Sequence, residues 1–130
     1  MVQQVTQGVS ITVETFYQQE QSNPINNEFL HAYRITIENL SPAPVQLISR
    51  HWYIADSFYG NTVREVQGDG VVGEQPIIHP GDTYQYISAA NLRSDISKMH
   101  GTYEMENLYN KSRFTVNIPE FPLVAPFKLN

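Results

Sequence analysis

Apolar and polar residues alternate with a period of two over much of the chain, the spacing that puts every second side chain on one face of a β-strand. Val9, Ile11 and Val13 alternate with Ser10, Thr12 and Glu14, predicting a first strand that runs on to about Gln21. Ser22-Asn23-Pro24 and Asn26-Asn27 supply a turn. Tyr33, Ile35 and Ile37 then alternate with Arg34, Thr36 and Glu38 in a second strand. Leu40-Ser41-Pro42-Ala43-Pro44 ends it, because proline has no amide hydrogen to give to a ladder. A third run, Val45 to Asp56, carries Ile48, Trp52 and Ile54 on one face and Leu47, Ser49, His51 and Tyr53 on the other. Residues 61–67 predict a shorter strand after the Tyr59-Gly60-Asn61 turn, and Asp82 to Ala90 a further one that starts on Tyr84 and Tyr86. Residues 91–99 are expected to hold one helical turn beginning near Ser94 or Asp95. Gly101–Asn107 and Arg113–Ile118 predict the last two strands, joined by a hairpin turn at Tyr109-Asn110-Lys111.

Seven or so short strands with turn signals between them, and no long helix, predict an all-β sandwich in a single domain over residues 1–130. Trp52, central in the third strand, is expected in the core. The tail from Pro119 to Pro126 is too rich in proline for a central strand. Its Phe121, Leu123 and Val124 are expected to lie extended against a sheet edge and protect it.

Composition narrows the chemistry. The chain has no cysteine, which excludes disulfides, thiol catalysis and cysteine-ligated metals. Formal charge is −5 and the basic residues, among them Arg50, Arg64, Arg93 and Arg113, are scattered, so nucleic acid is not an expected partner. No stretch approaches the ~18–20 apolar residues of a membrane span. The start, MVQQVTQGVS, has neither a basic segment nor an apolar run, so the expected location is cytoplasmic.

Gly68-Asp69-Gly70-Val71-Val72-Gly73 matches the G-x-G-x-x-G pattern. In dinucleotide-binding proteins such glycines lead a strand into a helix whose first amides hold pyrophosphate. Here Pro76 and Pro80 leave no room for that helix, Glu74 brings negative charge, and no lysine follows. The pattern therefore predicts a glycine loop at a sheet corner, and residues 68–73 are kept as the candidate binding loop.

Four histidines, His31, His51, His79 and His100, lie too far apart in sequence to be paired ligands on one element. Glu104 and Glu106 share a strand face with Thr102, which reads as the wet side of Tyr103 and Met105. Ser49, His51 and Asp56 make a triad on paper only, since Ser49 lacks the strand–turn–helix setting of a nucleophile elbow. No enzyme, cofactor or metal is expected. The solvent-facing Tyr and His positions beside Trp52 are the better recognition surface, because aromatic residues dominate interface energetics.

SRHWYIAD at 49–56, VREVQGDGVVGEQPIIHPGDTYQYIS at 63–88, GTYEM at 101–105 and PEFPLVAP at 119–126 resemble the bacterial ApaG family over nearly the whole chain. The resemblance implies an immunoglobulin- or fibronectin-III-like sandwich. It implies no catalytic residues, and it aligns the family's glycine motif with Gly68, Gly70 and Gly73. Similar modules end certain F-box proteins and a polymerase-delta-interacting protein, where they serve protein–protein interaction, and the bacterial family is linked to cobalt resistance and magnesium efflux. The expected function is a non-catalytic protein-binding module with an unidentified protein partner, connected with divalent-cation homeostasis. The alternative is a regulatory protein that binds a metal or a nucleotide or pyrophosphate through the glycine loop. Oligomeric state is left unassigned.

Overall fold

The computed structural model describes residues 1–60 and 62–126. These form nine strands and two single-turn 3-10 helices, Pro24–Asn26 and Ser57–Tyr59. The strands are β1 (Val2–Thr6), β2 (Val9–Tyr17), β3 (Phe29–Asn39), β4 (Val45–Asp56), β5 (Val63–Asp69), β6 (Ile77–Ile78), β7 (Thr83–Leu92), β8 (Ile96–Asn107) and β9 (Arg113–Val124). One sheet has the order β1-β2-β3-β7. The other has the order β5-β4-β8-β9, with β6 continuing the β5 edge along the start of β4. Two antiparallel sheets facing each other make the immunoglobulin- or fibronectin-III-like sandwich.

The alternation seen in the sequence fills the space between the sheets. Val9, Ile11 and Val13 of β2 and Ile35 and Ile37 of β3 are buried against Leu47, Met105, Val116 and Leu123 of the other sheet. Each such aliphatic side chain contributes roughly 1.5–3 kcal/mol when fully buried. Trp52 is buried as expected, with its ring edge-on to Tyr33 at 5.5 Å and to Phe121 at 5.9 Å. On the outer face, Arg34 holds Glu14 through paired bonds of 3.0 and 2.9 Å.

Several boundaries differ from the expectation. β1 and β6 are additional strands: β1 is an edge strand with little buried surface, and β6 is two residues long, so neither leaves an alternation to read. β2 stops at Tyr17, because residues 19–21 turn and Ser22 accepts from the Leu30 amide. The helical turn over 91–99 is instead the β7–β8 connection. There the buried Asp56 carboxylate accepts from the Arg93 amide at 2.7 Å, and Ser94 closes on the Ile96 carbonyl. β8 accordingly begins at Ile96, and the tail is the continuation of β9, paired with β8 as far as Val124. Pro119 and Pro122 are tolerated because β9 is itself an edge strand. Asn61 of the predicted turn lies outside the described residues.

The most consequential difference is in β4. Leu47 pairs with Met105 and Ser49 with Glu104, so Ile48 is an extra residue and forms a bulge. The bulge reverses the alternation. Val45 and Leu47 face the core before it, and Arg50, Trp52, Ile54 and Asp56 share the inward phase after it. Leu47 is therefore a core residue and Ile48 is not, the reverse of the single-register reading.

The sandwich is closed along one flank and open along the other. β1 and β2 lie against β9. At the opposite side β5 and β7, each the terminal strand of its sheet, border a cleft of about 480 Å³ that reaches down to Tyr33, Trp52 and Met99.

Candidate binding site

The bulge at Ile48 builds the site. Its carbonyl accepts from the Gly70 amide (2.8 Å) and from Gln75 Nε2 (2.9 Å), and the Leu47 amide donates to the Pro76 carbonyl at 3.0 Å. The candidate loop is thus an excursion of the sheet edge between β5 and β6, pinned at both ends to β4. Gly68 and Asp69 are the last residues of β5, paired with Arg50 and Ser49. Val71 and Glu74 exchange backbone bonds of 2.8 and 2.9 Å, closing a two-residue hairpin turn on Val72 and Gly73. Both turn residues have positive φ, +43° and +81°, as a type I′ turn requires.

Each glycine of the motif has its own physical reason. A Cβ at Gly70 would stand 2.0 Å from the Glu74 carbonyl oxygen, and its φ is +58°. Gly73 lies in open space and serves only the turn conformation. Gly68 makes room for Arg50, whose guanidinium lies over it. The loop does not lead into a helix, and its Gly70, Val71 and Glu74 amides are already engaged by backbone carbonyls. They do not form the amide cradle that a pyrophosphate would need.

Arg50 shares the inward phase of Trp52 and Ile54 and is half-buried. Its Nη1 donates to the carbonyls of Asp69 and Gly70, both at 2.9 Å. Its charge acts on the hydroxyls of Tyr33, Tyr86 and Tyr103. Tyr86 and Tyr103 are hydrogen-bonded to each other, and burial raises the pKa of all three, keeping them neutral. Arg64, opposite Ile54, overhangs the same cleft from β5. Among the described residues no carboxylate lines the cleft, and none pairs with Arg50 or Arg64. Glu74 stands nearby but accepts from Tyr84 Oη at 2.9 Å, a bond that latches the hairpin to β7.

A second surface lies on the outside of the β5-β4-β8-β9 sheet. His51 stacks on Tyr53 at 4.4 Å and Tyr53 on His100 at 5.0 Å, so the aromatic positions beside Trp52 form one continuous row. His51 Nε2 is held by Glu65 at 2.8 Å. The remaining candidates do not converge. Asp56 points inward and holds the Phe58 and Arg93 amides, on the opposite face of β4 from Ser49 and His51. Glu104 is bonded to Thr115 and Glu106 to Arg113. Among the described residues, no three His, Asp or Glu side chains gather as a metal-ligating group, and no helix is long and apolar enough to cross a membrane.

Sequence reasoning listed Arg50 and Arg64 only as scattered cations. The signal lay in their phase: Arg50 falls two residues before Trp52 and four before Ile54, an arginine on a core-facing register.

Comparison with known proteins agrees with this architecture. The model of the ApaG domain family matches residues 19–107. A Protein ApaG from Paramagnetospirillum magneticum is 45% identical over 126 residues, covering 97% of this chain and 95% of the relative. One from Dechloromonas aromatica is 46% identical over 111 residues, 85% of each. A crystal structure from Bordetella pertussis, assigned as an ApaA protein, superposes with a TM-score of 0.85 at 41% identity, over 91% of this chain and 94% of that one. On its sequence and its fold, the chain belongs to the ApaG family.

Proposed function

We infer that the protein is a non-catalytic protein-binding module that takes an extended segment of a partner along the flank between β5 and β7. One observation carries this reading: two terminal strands border a single open cleft. Each offers a backbone edge, unpaired among the described residues, to which a further strand can add. The rim is apolar and exposed where such a segment would lie, with Val66 on β5 and Val72 on the turn. The aromatic row is the weaker candidate, because His51 is already engaged by Glu65, whereas the cleft retains unengaged polar groups. The family's link to cobalt and magnesium enters this reading only through the partner.

The test is selection of peptides from a random library on the full chain, followed by amide chemical-shift mapping of the enriched peptides. Shifts concentrated on β5, β7 and residues 70–74 are expected. Failure to enrich any peptide, or shifts centred on the β1–β9 flank or the aromatic row, would overturn it.

A further inference from the structure

We propose that the cleft between β5 and β7 is a carboxylate-binding site, in which Arg50 receives an Asp or Glu side chain of the segment lying along the flank. The proposal rests on the flank reading above and gives it a chemistry.

Arg50 stands where a strand would ordinarily bury an apolar residue. Placing a cation on the inward phase beside Trp52 and Ile54 costs desolvation unless the charge is matched. Among the described residues it is met by dipoles: two backbone carbonyls accept from Nη1, and the neutral Tyr33 and Tyr86 line the same cleft. That arrangement fixes the guanidinium without neutralising it. A planar guanidinium held through Nη1 presents its other edge, Nε and Nη2, as a two-pronged donor whose spacing suits one carboxylate. Neither of these nitrogens has a bonded partner among the described residues, and neither is sealed from solvent.

The position is built. Gly68 lets the guanidinium lie flat over the backbone, since a Cβ there would meet Nη2, Cζ and Nη1 at 2.8 to 2.9 Å. The Asp69 and Gly70 carbonyls then set its orientation. Arg64 adds a second positive charge at the mouth, and among the described residues no acidic side chain lines the cleft to compete. In a chain of net charge −5, this is a local reversal of sign. A free inorganic anion would use the arginines but leave both strand edges and the apolar rim without a role, whereas an acidic polypeptide segment uses all three.

The experiment uses the full chain and the library-selected peptides that map to the flank. Their sequences should be enriched in Asp or Glu next to apolar residues. Changing that acidic residue to Asn or Gln should weaken binding about 10- to 100-fold with the protein untouched. Arg50→Met should weaken the acidic peptide similarly but leave its amide analogue unchanged, while Arg50→Lys should give an intermediate loss. Flank-binding peptides with no acidic preference would overturn this proposal and leave the flank reading intact. Failure to obtain any flank-binding peptide would remove both. Binding of phosphate or diphosphate at sub-millimolar concentration, with acidic peptides indifferent to Arg50→Met, would reassign the cleft to small anions and overturn the proposal.

Discussion

Gly68 and Arg50 face each other across the β4–β5 pair, and the arginine's guanidinium rests on the glycine with no space for a methyl group between them. The first glycine of a nucleotide-like motif thereby seats a cation. The other two glycines serve different ends, so substitution should separate them.

Alanine at the three positions is expected to destabilise in the order Gly70, Gly73, Gly68. At Gly70 the new Cβ meets an immovable backbone oxygen and φ is positive, so a loss beyond about 2 kcal/mol is expected. At Gly73 only the positive φ is at issue, worth about 1 kcal/mol. At Gly68 the obstacle is the end of a flexible side chain, so stability should change by less than about 1 kcal/mol while Arg50 is displaced. Urea unfolding of the three variants checks the order. Equal losses at all three would show that the motif acts as one rigid loop.

Val72 is β-branched, exposed and held at φ +43°, the first turn position where Asn, Asp or Gly is favoured. Val72→Asn should therefore stabilise the protein by about 0.5–1 kcal/mol. The same change removes an apolar side chain from the rim of the cleft, so flank-binding peptides should bind more weakly. A thermal melt and a binding isotherm on the same sample measure both. Higher stability with unchanged affinity would mean that the strained valine contributes nothing to recognition.

His31 is buried on β3 beside the Tyr17 ring, and its Nε2 has no hydrogen-bond partner. Burial pushes its pKa down to about 4, against about 6.5 in an unfolded chain. Between those values the unfolded chain binds more protons than the folded one, so stability rises with pH. The stability is complete above about pH 6.5 and is lost progressively towards pH 4, by up to about 3 kcal/mol. His31→Leu should flatten this part of the profile when unfolding is compared at about pH 7.5 and about pH 4.5. Glu14 is separable: its bond to Arg34 holds its carboxyl below the usual range, so its contribution is present above about pH 4.5 and lost only in more acid solution. A His31→Leu profile parallel to that of the parent would contradict the assignment.

The sandwich was legible because alternation persists wherever one strand face is buried. β3 shows it best, with Phe29, His31, Tyr33, Ile35, Ile37 and Asn39 all inward. The reading failed where pairing rather than pattern decides. The Ile48 bulge shifts β4 by one residue, and only its carbonyl's two partners, Gly70 and Gln75, show why the chain accepts it. That shift turned Val45 and Leu47 inward and gave the candidate loop its anchor at the Ile48 carbonyl, while Arg50 keeps the Trp52 phase in either register. The loop at residues 68–73 was found from its glycines, but its relation to Arg50 was not, because the two are neighbours in space and 18 or more residues apart in sequence. His51, Tyr53 and His100 were recognised as exposed, while their stacking depends on the β4–β8 register.

The open flank is the central claim, and the absence of cysteine gives a direct test of it. A single cysteine replacing Val66, on β5 at the cleft, can be coupled to a bulky maleimide. A second variant carries the label in place of Val5, on β1 at the closed flank. Affinity for the selected peptides is then measured before and after labelling. Labelling at Val66→Cys should weaken binding at least about tenfold, and labelling at Val5→Cys should leave it unchanged. Undiminished binding by the Val66→Cys adduct would contradict the account.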